Sequence, residues 1–169
     1  TVAVVCGLGY LNYSHYTQYQ QARSDLALGS VFLDLLIGFA SETPRMFMTP
    51  EIVDRLAAML DYNLDTLVGP RCQGLRLRQP EAVGFRPREL LKRILLVYSN
   101  LAHCAEFPRA IARDGRSYRA SLFERAIQVS ERHSLLPRSI LDDLQSLVER
   151  AEAARQADAD EEEDLGEIP

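Results

Sequence analysis

Three small groups of residues in this sequence of 169 have types that support chemistry in other proteins, and the first is a pair of glycines. Gly7 and Gly9 follow an apolar run, as they would in a dinucleotide-binding turn. That fingerprint also needs a third glycine, at the position that Asn12 holds, and a strand–helix–strand unit, which the sequence does not show. We therefore interpret residues 7–9 as a turn, or as part of a stretch that is not native sequence.

The second group consists of the histidines and cysteines. His103 and Cys104 are adjacent, while Cys72, His15 and His133 lie elsewhere. A structural zinc site needs four ligands at paired spacings, which are absent here, and a Cys–His nucleophile pair would require two distant residues to meet in the fold. We expect a partly buried histidine and small apolar cysteines, with no metal ion and no cofactor.

The third group is the pair Asp142 and Asp143, which could serve as a carboxylate pair in acid–base catalysis. We place them instead near the first turn of the last predicted helix, where the helix dipole favours negative charge by about 0.3–1 kcal/mol. The sequence also lacks a glycine-flanked serine and a phosphate-binding loop. We predict no catalytic, cofactor-binding or metal-binding residue.

The distribution of charge is more informative than the net charge of −5, which by itself argues against a dedicated nucleic-acid binder. Residues 71–125 carry 12 Lys and Arg against 5 Asp and Glu, whereas residues 142–169 carry 2 against 11. Such a basic block can steer an acidic partner, unless its arginines pair with neighbouring helices or with the acidic tail. The candidate partner surface consists of Arg76, Arg78, Arg88, Lys92 and Arg93.

The elements that carry these residues are almost all predicted helices. With 47% apolar and 25% charged residues the chain is typical of soluble globular proteins, and three cysteines fit a reducing compartment. Only residues 2–6 are prone to form a strand. Residues 19–42 show a helical pattern whose second half is apolar on nearly every face, so we predict a buried helix. Its apolar run, residues 26–40, contains Asp34 and is shorter than the ~20 residues that span a bilayer.

Prolines and glycines divide the rest of the chain. Thr49 has the chemistry of an N-cap before Pro50, and Gly69 is the predicted C′ residue of that helix. Residues 71–86 form a long loop, for which we predict the apolar anchors Leu75, Leu77 and Phe85. Further helices are predicted from Pro87, over 106–113, from an N-cap at Ser117 to about 134, and from Pro137 onward. The total is five to seven helices, arranged as a bundle or a solenoid.

Several blocks resemble, in order, the core of ubiquitin-chain elongation factors, which are U-box ubiquitin–ubiquitin ligases. The resemblance covers roughly residues 22–169. The blocks are RLAAMLDYNL at 55–64, LVGP at 67–70, GFRPRELL at 84–91, YSNL at 98–101, AIARDGRSY at 110–118 and LFERA at 122–126. The closing letters LGEIP at 165–169 look like the linker that enters a U-box.

This resemblance implies an all-α fold, an elongated helical solenoid of armadillo-like repeats, of which the chain would be the C-terminal segment. Residues 1–18 do not resemble the family, and because the chain begins at Thr1 we interpret them as an atypical segment that need not be native. Residues 19–157 would be the C-terminal part of the core. Residues 158–169 would be an acidic linker towards an absent U-box, and we expect residues 158–164 to be disordered or solvated.

The resemblance also implies a function. The parent protein would extend ubiquitin chains on substrates that already carry ubiquitin, for proteasomal degradation in cytoplasm and nucleus. Its partners would be a ubiquitin-conjugating enzyme held by the U-box, an AAA ATPase segregase (valosin-containing protein) and proteasomal shuttle factors, with no membrane involved. This segment alone would be inactive. The alternative is a helical-repeat module that binds protein or RNA through residues 71–125.

Overall fold

Six α-helices and one short 3₁₀ helix make up the chain in a computed structural model, which describes residues 2–70, 72 and 84–166, with side chains over 17–70, 72 and 84–161. No strand occurs among these described residues, so the predicted all-α fold class is confirmed. The elements are α1 (Val2–Glu42), the 3₁₀ helix (Pro44–Phe47), α2 (Pro50–Val68), α3 (Pro87–Leu101), α4 (Glu106–Arg113), α5 (Ala120–Arg132) and α6 (Arg138–Gly166).

The helices stack so that alternate ones make the most extensive contacts. α1 packs on α3, α2 on α4, and α4 on α6, while α5 lies against α2 and α6. Leucines of α2, α3 and α6 face inward around an aromatic centre. There the ring of Tyr98 lies 5.0 Å from that of Phe123, edge to face, and 6.0 Å from that of Phe107. Alternate-helix stacking of this kind suits a repeat architecture.

Helix α2 begins and ends where its sequence predicts. Pro50 occupies the first turn and Thr49 precedes it with an extended backbone, although the Thr49 side chain makes no capping hydrogen bond. At the other end the Gly69 N–H donates to the Asp65 carbonyl at 2.9 Å. Gly69 has a φ of −80°, so it ends the helix without the left-handed conformation of a typical C′ glycine.

Helix α1 contradicts two predictions. Val2–Cys6 and the Gly7–Gly9 segment are not a strand and a turn, because both lie within α1. The apolar half of α1 is not buried either: Leu36 and Ala40 are its buried residues, whereas Leu28 is 70% exposed and Phe32 56% exposed. The apolar composition led us to expect neighbouring helices on every side of this half, but α3 is the main helix that packs against it and buries only one side.

One stretch of α1, Thr17–Glu42, is long and apolar enough to cross a membrane by length and composition alone. Core helices of soluble proteins pass the same test. Asp34 lies in the middle of this stretch and pairs with Arg93 of α3 at 3.3 Å, an arrangement typical of a protein surface. That no membrane takes part stays a prediction.

Two boundaries in the second half also differ from the predictions. Ser117 is not the N-cap of α5, which begins at Ala120; Ser117 is buried in the preceding turn. That turn is prolonged because the Tyr118 N–H donates to the Asp114 carbonyl at 3.2 Å. The acidic tail is helical as far as Gly166 rather than disordered, and its described side chains are largely exposed, as expected for a solvated segment.

Candidate functional site

The structure brings three of the five residues of the candidate partner surface together on α3. Arg88 is exposed, and Lys92, one turn further along α3, is half-buried. Neither forms an ion pair with another described residue. Arg76 and Arg78 lie outside the described residues, as do the predicted anchors Leu75 and Leu77. Arg88 and Lys92 therefore remain candidates for contact with an acidic partner.

Arg93 has a different role, because it fastens α3 to α1. Its guanidinium lies 3.3 Å from the Asp34 carboxylate and 3.1 Å from that of Glu89, and it also donates to the Ser30 hydroxyl. Arg113 similarly reaches Asp54 of α2 at 3.9 Å. Part of the basic block thus pairs with neighbouring helices, as the alternative interpretation of its charge anticipated.

A groove of about 500 Å³ lies beside these residues, where α1, α2 and α3 meet the segment 84–86. Its floor is mainly apolar, with Asp25, Ser30, Asn63 and Glu89 among the polar side chains that line it. The residues that form the apolar floor are Leu26, Phe32, Leu33, Met59, Leu60, Phe85, Leu90 and Ile94. Volume and lining are those of a site that binds an apolar group and orients it with a few polar contacts.

Arg86 is the site residue that the sequence reasoning missed. It lines the groove, is exposed, and within the described part of the chain has no ion pair. It directly precedes Pro87, the first residue of α3. Its position in the block GFRPRELL, beside the predicted anchor Phe85, was the available signal.

A second polar group is enclosed in the core. The Tyr98 hydroxyl donates to the Asp61 carboxyl at 2.6 Å, and both residues are almost fully buried. Burial raises the pKa of the Asp61 carboxyl from 3.8 to about 8, although the hydrogen bond from Tyr98 opposes that rise. Burial, together with the charge of Asp61, also raises the pKa of the Tyr98 hydroxyl.

The residues examined for catalysis do not converge. Burial raises the pKa of the Cys104 thiol, which makes the thiolate scarcer and the cysteine less nucleophilic. Among the described residues no group of three or more His, Cys, Asp or Glu could hold a metal ion. Asp142 pairs with Arg138 at 3.0 Å, while Asp143 accepts a hydrogen bond from Ser99 at 3.4 Å. Both lie beyond the first turn of α6, so the predicted dipole effect does not apply to them.

Comparisons with known proteins agree with the sequence blocks. The family model described as "Ubiquitin elongating factor core" matches residues 12–152. The "Ubiquitin conjugation factor E4" of Schizosaccharomyces pombe is 42% identical over 150 residues, which are 89% of this chain and 15% of that protein. The "E4 ubiquitin-protein ligase UFD2" of Saccharomyces cerevisiae is 38% identical over 151 residues, 89% of this chain and 16% of that protein.

A plant relative shows the same pattern. The "Probable ubiquitin conjugation factor E4" of Arabidopsis thaliana is 39% identical over 157 residues, or 91% of this chain. The chain spans about 15% of the length of the relatives it matches. Because the family model covers most of the sequence, this chain belongs to the ubiquitin elongating factor core family.

Proposed function

We propose that this chain is a scaffold segment of a ubiquitin-chain elongating ligase, and that the longer protein extends chains on substrates that already carry ubiquitin. The observation that carries the proposal is the family match over residues 12–152, supported by relatives whose names describe ubiquitin conjugation and ligation. A stack of helices with an open groove suits a scaffold, which positions other proteins and needs no reacting group of its own.

The same proposal assigns different roles to the parts of the longer protein. A U-box joined to the segment would bind the charged conjugating enzyme, so the segment alone would be inactive. The further partners we propose are an AAA ATPase segregase (valosin-containing protein) and proteasomal shuttle factors, which would act with the ligase in cytoplasm and nucleus. We assign the apolar groove, the exposed Arg86 and Arg88 and the half-buried Lys92 to partner contact.

Reconstituted ubiquitination tests the proposal. The 169-residue chain, the same chain joined through its C-terminal end to a U-box, and the U-box alone are each incubated with activating enzyme, conjugating enzyme, ATP and a substrate that carries one ubiquitin. We expect long chains only with the joined protein. Equal extension by the U-box alone would contradict the role of the segment as a scaffold.

A charge variant of the joined protein tests the assignment of the partner surface. Replacing Arg86, Arg88 and Lys92 with Gln should weaken salt-dependent partner binding while the helical circular dichroism signal is retained. The matched control replaces Arg116, Arg119 and Arg125, which belong to the same basic block but lie outside the groove lining. An identical loss in the control would show that only the overall charge matters.

A further inference from the structure

The polar group between α2, α3 and the turn after α4 contains two acids, and within the part of the chain that the structure describes neither pairs with a cation. Asp61 is 1% exposed, and its Oδ1 accepts the hydrogen bond from the Tyr98 hydroxyl at 2.6 Å. The other carboxyl oxygen, Asp61 Oδ2, is buried without a hydrogen-bond partner. A buried carboxylate oxygen in that state loses its hydration without compensation.

A second carboxyl group has the same property. Asp114, in the turn between α4 and α5, accepts a hydrogen bond at Oδ1 from the Arg116 N–H at 3.2 Å. Its Oδ2 is also buried without a partner. The charge of Asp114 acts on both Asp61 and Tyr98, which places the two acids within electrostatic reach of each other.

Among the described residues, the groups that act on Asp61 include no cation. α3 contributes the Tyr98 hydroxyl, the α4–α5 turn contributes Asp114, and the segment before α5 contributes Tyr118, whose hydroxyl donates to Glu152 of α6 at 2.8 Å. Asp65 follows one turn later on α2 itself. The nearby cation on α4, Arg113, is directed to Asp54 at the surface. The buried Asp61 beside the partly buried Asp114, with no cation paired to either among the described residues, is ionised only at a cost in free energy.

We propose that Asp61, Tyr98 and Asp114 form a buried proton site, in which the Asp61 carboxyl retains one proton in the folded protein and its loss loosens the packing of α2 against α3 and the α4–α5 turn. The neutral Asp61 still accepts the hydrogen bond from Tyr98, and its orphaned Oδ2 can carry the proton. One proton therefore removes the repulsion between the two acids.

The direction of the pH effect follows from proton linkage. In the unfolded chain Asp61 loses its proton near pH 4, whereas the folded protein retains it up to about pH 8. The folded state therefore binds one more proton between these values, and stability falls as pH rises through this window. The unfolding equilibrium constant should increase up to about tenfold per pH unit because of this group.

Urea unfolding of the full 169-residue chain between about pH 6 and about pH 9 tests the site. Asp61→Asn imitates the protonated acid, since its amide is neutral, its oxygen can accept from Tyr98 and its NH₂ group replaces the acid O–H. We expect this variant to lose most of the decline in stability over the window. The control Glu124→Gln changes an exposed acid on α5 and should retain that decline. The same decline in Asp61→Asn and in the unmodified chain would overturn the proposal.

Carbon-13 NMR of the unmodified chain, labelled at its aspartates, provides a test that no substitution can disturb. The Asp61 carboxyl signal should remain that of a neutral acid at about pH 6 and titrate in the alkaline range, while exposed aspartates titrate near pH 4. An Asp61 signal already ionised at about pH 6 would overturn the proton site. In Asp114→Asn, whose carboxylate no longer repels charge on Asp61, the titration should move to lower pH.

Discussion

At the scale of single residues, the end of α2 shows how one glycine is fixed by its surroundings. A Cβ atom on Gly69 would lie 2.1 Å from Oδ1 of Asp65 and 2.5 Å from the Asp65 carbonyl oxygen. The carbonyl belongs to the backbone, so it cannot rotate away as a flexible side chain would. Glycine is therefore required at position 69 because there is no space for a side chain. Its backbone conformation does not require glycine, since any residue can adopt a φ of −80°.

Gly69→Ala should destabilise the protein by about 1–3 kcal/mol, because the helix end must shift to admit the methyl group. Gly38→Ala is the matched control within α1, where a Cβ would meet nothing within 4 Å. There the better helix propensity of alanine should stabilise by up to about 1 kcal/mol. Urea unfolding measures both changes, and a neutral Gly69→Ala would show that the helix end yields easily.

At the scale of helices, the sequence predicted most boundaries because prolines and glycines act locally. The sequence correctly predicted that helices begin at Pro50 and Pro87 and that a helix spans Glu106–Arg113. The predicted boundaries were wrong where a contact beyond the local sequence, or continuation of a helix already formed, determined where the helix begins or ends. Ser117 has the chemistry of an N-cap, but the turn from Asp114 extends past it. The dipeptide Asp114-Gly115 signals a turn, but not how far the turn continues.

The acidic end of α6 is the second such case. Side-chain pairs one turn apart support the helix there, from Arg155 to Glu152 at 2.7 Å and from Gln156 to Asp160 at 2.8 Å. These pairs offset part of the repulsion between acids that led us to expect disorder. Helix extension also requires less free energy than helix initiation, so a helix anchored in the core continues into the tail.

Ala157→Pro tests whether the end of α6 is helical independently of the core. Proline removes the hydrogen bond to residue 153 and clashes with that carbonyl, so the helix beyond it should unwind. Because Ala157 is exposed, we expect circular dichroism to lose helical signal while the free energy of unfolding changes by less than about 1 kcal/mol. Ala151→Pro, at a fully buried position, should instead unfold the protein. An unchanged signal in Ala157→Pro would mean that the tail is not helical in solution.

At the scale of the whole molecule, α1 leaves an apolar stripe uncovered. Leu28, Val31, Phe32, Leu35 and Phe39 are each more than half exposed and follow helical spacing along one side. Exposed apolar patches of this kind promote association. The sequence identified the apolar helix, but it could not indicate which face the neighbouring helices would cover.

Leu35→Gln combined with Phe39→Gln should reduce self-association of the chain at high concentration, as measured by light scattering. Because both side chains are exposed, stability should change by less than about 0.5 kcal/mol. Leu36→Gln is the control on the adjacent, buried face, and it should destabilise by several kcal/mol because it places an amide in the core. Unchanged association in the double variant would show that the stripe is not the contact.

The candidate site was predicted in part, because the sequence shows its charge but not which distant residues meet to form it. The excess of basic residues in 71–125 was visible in the sequence, and it led to Arg88 and Lys92. The groove was not visible, because its floor combines residues of three helices that are distant in sequence. Nor could the sequence distinguish Arg93, which is held by Asp34 across the helix interface, from Arg86 nearby, which has no ion pair with any residue that the structure describes.

The stacking of alternate helices has a consequence for how this protein folds and opens. Each main contact joins elements close in the chain, and such local topologies fold quickly because little chain entropy is lost before contacts form. α1 is held mainly through α3 and the 3₁₀ helix. It can therefore detach as a separate cooperative unit while the aromatic centre stays intact, so its amide hydrogens exchange with solvent well before those of α3 and α4.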